Sequence, residues 1–283
     1  MDFNPQLRGT LRAVLTCVIM TIMHMSPVQA QIRAPTASAT EIQAKQELDE
    51  AARAYREGNF VEAQAHSERA LLLDPQNEKA PYFVARSIHA QYKPGDATPE
   101  NAAKAQEAIS AYKKILDRFP GDDEAYKAVA YLYGVLKEDG LLIEWVTQRA
   151  ANVSLPNDKR AEAFIVLASK EWDCSFTFTE LPNNKVTTVA GNKARVRYRM
   201  PKDGAEFERA RACANRGLQL ADIATLLAPE NESAWSYKTN ILLGLEKLAE
   251  MSGEVQLKLG FHRQYEEALK ETTRLSTRPQ SKP

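Results

Sequence analysis

The chain has 283 residues, and its 37 basic and 37 acidic side chains leave no formal net charge. Hydrophobic residues make up 44% and charged residues 26%, which is ordinary for a folded soluble protein. The balanced charge excludes a general electrostatic attraction to nucleic acid or to an acidic membrane surface. The length suits one or two domains, or one elongated repeat protein.

Residues 1–30 have the pattern of a secretory signal peptide. Arg8 and Arg12 supply positive charge, and the apolar run that follows is short for a membrane-spanning helix. A small-x-small motif ends at Ala30, so we expect cleavage between Ala30 and Gln31. Cleavage predicts an exported protein, periplasmic or extracellular, without an integral membrane span. The alternatives are an uncleaved anchor and a lipoprotein.

The cysteines bear on the same question of export. Cys17 would leave with the signal peptide, or would carry the lipid if the protein were a lipoprotein. Cys174 and Cys213 would remain in the mature chain. Two cysteines in an oxidising compartment predict one disulfide, and two independent buried thiols are the alternative.

Residues 31–40 are small and polar and predict a flexible linker, after which a helical pattern begins at residue 41. The segment from Gly58 to Pro75 then predicts a turn, one amphipathic helix and a stop. Glycine readily adopts a positive φ, and the residue before proline is disfavoured in the α region. One apolar stripe follows the helix: Phe60, Ala63, Ala70 and Leu71.

The same pattern of helix, turn, helix and stop returns along the chain. The closing prolines are Pro75, Pro120, Pro156 and Pro229, and a repeat of about 34 residues fits their spacing if loops are inserted. With the alanines at 63, 70, 85 and 130, the pattern resembles the tetratricopeptide repeat (TPR) family. The resemblance implies an all-α fold, a right-handed α-solenoid of about five helix-turn-helix pairs across 41–275. Residues 276–283 predict a disordered tail.

One segment departs from the helical period. Residues 174–200 contain alternating apolar and polar positions and a turn signal, which predict a small β-hairpin inserted into the fourth pair. Arg195, Arg197 and Arg199 would point to one face of a strand. They could contact an anionic polymer, lipopolysaccharide or a protein, and a solvated strand face is the alternative.

The sequence offers no site for catalysis. His66, His89 and His262 fall in separate helices without zinc-binding spacing, and there is no phosphate-binding glycine loop or nucleophile motif. We therefore expect no enzyme activity, metal or cofactor, and no nucleic acid partner.

In the TPR family the first helix of each pair lines a concave groove. Counting along those helices gives the candidate groove residues Lys45, Leu48, Tyr55, Lys79, Tyr82, Arg86, His89, Lys127 and Tyr131. Tyrosines with lysine and arginine suit an extended peptide with an acidic group or a C-terminal carboxylate. The alternative is that the tyrosines pack between repeats and the cations are solvated.

These features predict a non-catalytic protein–protein interaction scaffold of the bacterial cell envelope. A soluble ligand- or glycan-binding subunit of an envelope assembly is the alternative. The oligomeric state is left open by the sequence.

Overall fold

The structure is a computed structural model that describes residues 38–191, 193–202 and 204–278. Within these ranges it contains ten α-helices and one two-stranded antiparallel sheet. The helices are α1 (Ala39–Arg56), α2 (Phe60–Leu73), α3 (Ala80–Gln91), α4 (Pro99–Arg118), α5 (Asp123–Val135), α6 (Asp139–Ala151), α7 (Asn157–Thr179), α8 (Gly204–Leu227), α9 (Glu232–Met251) and α10 (Val255–Ser276). The strands are β1 (Lys185–Ala190) and β2 (Lys193–Tyr198).

The helices pack in chain order. α1 packs on α2, α3 on α4, α5 on α6, α7 on α8 and α9 on α10, and each pair also contacts the next one. This arrangement is an all-α solenoid of TPR-like helical pairs. The predicted fold class is confirmed, including the β-hairpin between the two helices of the fourth pair.

The segment from Gly58 to Pro75 folds as its sequence predicts. Gly58 has a φ of +81°, and α2 begins two residues later. The helix ends before Asp74, whose carboxylate accepts a 3.2 Å hydrogen bond from the backbone N–H of Gln76. Ala63 and Ala70 are fully buried, because their small side chains let the neighbouring helices approach closely.

Burial of apolar side chains holds the repeats together. One cluster joins α3 to α6 and includes Ile88, Ile109 and Leu132. Another joins α7 to α10 and includes Phe207 and Ile241. Full burial of one such side chain stabilises the fold by about 1.5–3 kcal/mol.

The predicted start of the insert is wrong. α7 continues to Thr179, so residues 174–179 are helical, and the first strand begins only at Lys185. Ser175, Phe178 and Thr179 are spaced three and four residues apart and are buried on one helix face. This buried face does not follow the apolar–polar alternation of the sequence, since Phe176 is 41% exposed, and packing of α7 against α8 and α9 stabilises the helix.

Parts of both segments predicted to be flexible are helical. α1 begins at Ala39, inside the expected linker, and Ser276 of the expected tail is the last residue of α10. Arg278 pairs with the Glu230 carboxylate. The signal peptide, its cleavage site at Ala30 and most of the linker lie outside the described residues. Among the helices that are described, none has the length and apolarity needed to cross a membrane.

The disulfide is present in the structure. Cys174 of α7 and Cys213 of α8 are bonded, with 6.1 Å between their Cα atoms. The bond therefore joins the two helices that flank the β-hairpin.

Candidate functional site

Four of the predicted groove residues meet at one cleft of about 320 Å³. Tyr55 comes from α1, Arg86 and His89 from α3, and Tyr131 from α5. These are the first helices of three successive pairs, as the TPR resemblance implied. We call this site the α1/α3/α5 cleft.

Ring contacts link the three helices across the cleft. The Arg86 guanidinium lies 5.9 Å from the centroid of the Tyr55 ring, and the His89 ring lies 5.7 Å from that of Tyr131. Aromatic faces and a cation thus line one continuous surface. About half of the Tyr131 side chain, 49%, is exposed and available to a ligand.

The charge of Arg86 is only loosely paired. Its Nε lies 3.6 Å from a carboxylate oxygen of Glu124, and both side chains are more than half exposed. Exposed pairs of this kind contribute about 1 kcal/mol or less. A carboxylate from a ligand can therefore replace Glu124 at Arg86.

His89 is a half-buried polar group of the cleft. Its Nδ1 lies 3.3 Å from the hydroxyl oxygen of Tyr112, and the two rings meet edge to face. Burial lowers the pKa of His89, so the imidazole is neutral at neutral pH, and burial raises the pKa of Tyr112. Tyr112 belongs to α4, the second helix of its pair, so counting along the first helices does not find it.

The other predicted groove residues lie elsewhere. Tyr82 hydrogen-bonds to Asp122 beside a neighbouring cleft, where it joins two repeats. Three lysines, Lys45, Lys79 and Lys127, are exposed but do not line the α1/α3/α5 cleft. Leu48 is buried in the core, so its placement on the groove surface is wrong.

The arginine row on the insert is only partly as expected. Arg195 and Arg197 are exposed on one face of β2, opposite Thr188 and Val186 of β1. Arg199 follows the end of the strand, and its Nε donates a 2.8 Å hydrogen bond to the Asn183 carbonyl. The exposed cations on that face of the strand are therefore Lys193, Arg195 and Arg197.

The α1/α3/α5 cleft offers hydroxyl groups, aromatic faces, a guanidinium and a neutral imidazole. These groups can bind and orient a ligand. The described part of the chain contains no group of three or more His, Cys, Asp or Glu residues able to hold a metal ion.

No protein-family model and no curated protein matches this chain. Several solved structures are similar to it, including the following two. One is the MamA protein, with 11% identity, a TM-score of 0.36, and coverage of 85% of this chain and 98% of that one. The other is the TPR2AB domain of yeast Sti1 in its pHSP90 complex, with 14% identity, a TM-score of 0.30, and coverage of 80% and 98%. The TPR-like description of this chain rests on its own helical pairs.

Proposed function

We propose that the protein is an exported, non-catalytic scaffold of the bacterial cell envelope that binds an extended segment of a partner protein. The observation that carries the proposal is the convergence of Tyr55, Arg86, His89 and Tyr131, from three successive pairs, on the α1/α3/α5 cleft. An extended peptide laid across the three helices would contact the tyrosine rings. An acidic side chain or the C-terminal carboxylate of that peptide would pair with Arg86.

Chemistry supports a peptide ligand for this cleft. Aromatic side chains supply contact area with few rotatable bonds, and arginine binds carboxylates with two parallel hydrogen bonds. The neutral His89 adds no charge to the cleft, so Arg86 provides its cationic character. Export is supported by the signal-peptide pattern and by the Cys174–Cys213 bond, because disulfides persist mainly in oxidising compartments.

Site-specific photo-crosslinking in the exported full-length protein tests this function. A photoreactive amino acid at Tyr131 should capture a partner protein, and mass spectrometry should find the adduct on an extended segment. The matched control position is Leu72 of α2, which is 80% exposed and lies outside the cleft. Equal capture at the two positions would contradict binding in the cleft.

Substitution of cleft residues provides a second test of the same proposal. The double variant Arg86→Ala, Tyr131→Ala should lose the captured partner while its circular dichroism and thermal midpoint stay near those of the native protein. Arg56→Ala removes a neighbouring exposed cation and should retain the partner. If the double variant folds and keeps every partner, the cleft is not the binding site. Stabilisation by free sugars together with an absence of peptide adducts would favour the alternative glycan-binding subunit.

A further inference from the structure

A second cavity, of about 390 Å³, lies between the C-terminal parts of α4 and α6 and beside the first turn of α5. Its lining includes Lys113, Leu116, Tyr126, Trp145, Arg149 and Leu155. We call it the α4/α6 cavity. Its volume falls in the range of about 300–1,000 Å³ that is usual for small-molecule sites.

The α4/α6 cavity lies on a different side of α5 from the α1/α3/α5 cleft. Tyr126 lines the former and Tyr131 the latter. Five residues along a helix, at about 100° each, turn the two side chains about 140° apart. Tyr126 and Tyr133, which are nearly two full turns apart, both contact Trp145 of α6. The two sites therefore do not share a wall.

Arg149 is the first sign of a ligand site. The residue is 5% exposed, and its guanidinium carbon lies 4.0 Å from the centroid of the Tyr126 ring, which stacks on Trp145. One end of the guanidinium pairs with Asp123. Its Nε is buried, and no acceptor in the described ranges satisfies it. Buried donors without an acceptor are rare in folded proteins, so this N–H requires an acceptor that the chain does not supply, either a water molecule or a bound anion.

Lys113 is the second sign. Its Nζ donates a 2.8 Å hydrogen bond to the Tyr133 hydroxyl and lies 5.2 Å from the centroid of the Trp145 ring. In the part of the chain that the structure describes, Lys113 forms no ion pair with a carboxylate. The side chain is half-buried, so this charge is partly removed from water without a counter-ion.

The remaining wall is partly apolar and also contains the acidic Asp117 and the polar Gln148 and Asn152. Leu116 and Leu155 line the cavity with the Trp145 ring, and Leu155 is 8% exposed. A charged donor, an unsatisfied donor and an apolar patch of Leu116, Leu155 and Trp145 in one cavity are complementary to a molecule with an anionic head and an apolar body.

We propose that the α4/α6 cavity binds a small organic acid. Its anionic oxygens lie toward Lys113 and Arg149, and its aromatic or branched apolar body packs against Leu116, Leu155 and Trp145. The site is separate from the proposed peptide cleft and does not depend on it.

Calorimetric titration of the full-length protein tests the proposal. The probes are phenylacetate and indole-3-acetate, with phenylacetamide as the neutral match and acetate as the acid without an apolar body. We expect the two aromatic acids to bind about tenfold to a hundredfold more tightly than either control, since a hydrogen bond to a charged group has that effect on affinity. The Trp145 indole N–H resonance should shift during the titration. Equal affinity for the acid and its amide, or no binding of any acid up to low-millimolar concentrations, would overturn the proposal.

Lys113→Gln should weaken phenylacetate binding about tenfold or more, whereas Lys114→Gln, at the next and exposed position, should not. The substitution is placed at Lys113 because Arg149 also holds Asp123 and its loss could unfold the repeat. The variant Arg86→Ala, Tyr131→Ala should bind phenylacetate like the native protein. Equal binding by the two lysine variants, or loss of binding in the cleft variant, would place the acid elsewhere and overturn the proposal.

Discussion

The hydroxyl of Tyr82 donates a 2.7 Å hydrogen bond to the carboxylate of Asp122, which lies 40 residues further along the chain. The other oxygen of that carboxylate accepts a 2.7 Å hydrogen bond from the backbone N–H of Ala125 and so caps α5. The Asp122 carboxylate thus links α3 to the first turn of α5 through two hydrogen bonds. Burial, and then the bond to Asp122, raises the pKa of Tyr82 to about 12, so the hydroxyl stays protonated at physiological pH.

This bond predicts the effect of two substitutions. Tyr82→Phe should lower the free energy of unfolding by about 1 kcal/mol, the usual contribution of one hydrogen bond. Asp122→Ala should lower it by about 2 kcal/mol, because the helix cap is lost as well. Urea denaturation measures both values. Tyr131→Phe is the control, since no hydrogen bond of its hydroxyl is found among the described residues. A Tyr82→Phe variant as stable as this control would contradict the prediction.

Asp123 balances the charge of the buried Arg149. Its carboxylate pairs with Arg149 and Lys159, and the side chain of Arg149 is only 4% exposed. Asp123→Asn should lower the free energy of unfolding by about 3 kcal/mol, because the guanidinium would stay buried without a counter-ion. Glu124→Gln, at the next position, removes an exposed pair and should change it by less than about 1 kcal/mol. Similar effects of the two substitutions in urea denaturation would disprove this role.

The Asp123 pairing also predicts a pH dependence. Burial would raise the pKa of Asp123, but its hydrogen bond to Lys159 and the charges of Lys159 and Arg149 outweigh that effect and lower it. A carboxyl group whose pKa is lower in the folded state contributes stability that is present above its unfolded pKa, about 3.9, and lost as the pH falls through the folded value. The stability difference between the native protein and Asp123→Asn should therefore narrow in acid. A constant difference would contradict the pKa shift.

His89 should also make the folded protein less stable in acid, but over a higher pH range than Asp123. Burial lowers its pKa in the folded state, so below its ordinary value of 6.5 the unfolded chain binds more protons than the folded one. Stability should then fall as the pH decreases from neutral toward about 5.

The variant His89→Gln isolates this contribution. Gln can still hydrogen-bond to the Tyr112 hydroxyl but does not titrate. The acid-induced loss of stability, followed by thermal unfolding at several pH values, should be smaller in this variant than in the native protein. Identical pH profiles would show that His89 is not the group responsible.

The Cys174–Cys213 bond should be a major source of stability. It closes a loop of 39 residues, and loop-closure entropy predicts a stabilisation of about 4 kcal/mol for a loop of that size. Reduction should lower the urea midpoint of the native protein by a corresponding amount. The variant Cys174→Ala, Cys213→Ala should be less stable and indifferent to reductant. A native protein whose midpoint does not respond to reductant would contradict the expectation.

The sequence predicts the helical pairs well because their signals are local. A positive φ at Gly58 and the stop before Pro75 depend on neighbouring residues only. The first residue of the insert could not be predicted from local signals. Residues 174–179 alternate like a strand, and their helical state depends on the burial of Ser175 and Thr179 against other helices.

The candidate sites also differ in whether local sequence signals predict them. Tyr55, Arg86, His89 and Tyr131 could be found because counting along the first helices gives their shared surface. The role of Arg149 could not be predicted from the sequence. An arginine in α6 ordinarily faces water, and the burial of Arg149 follows from its contacts with Asp123, 26 residues earlier, and with the Tyr126 ring.

The order of helix packing has a consequence for how the chain folds. The main contacts join helices that are one or two places apart in sequence, such as α7 with α8 and α7 with α9. Few long loops must close before these contacts form, which favours rapid folding. In arrays built from neighbour contacts, folding can start in any repeat and spread to the next. Each pair can therefore acquire its structure soon after its second helix is complete, before the rest of the chain is available.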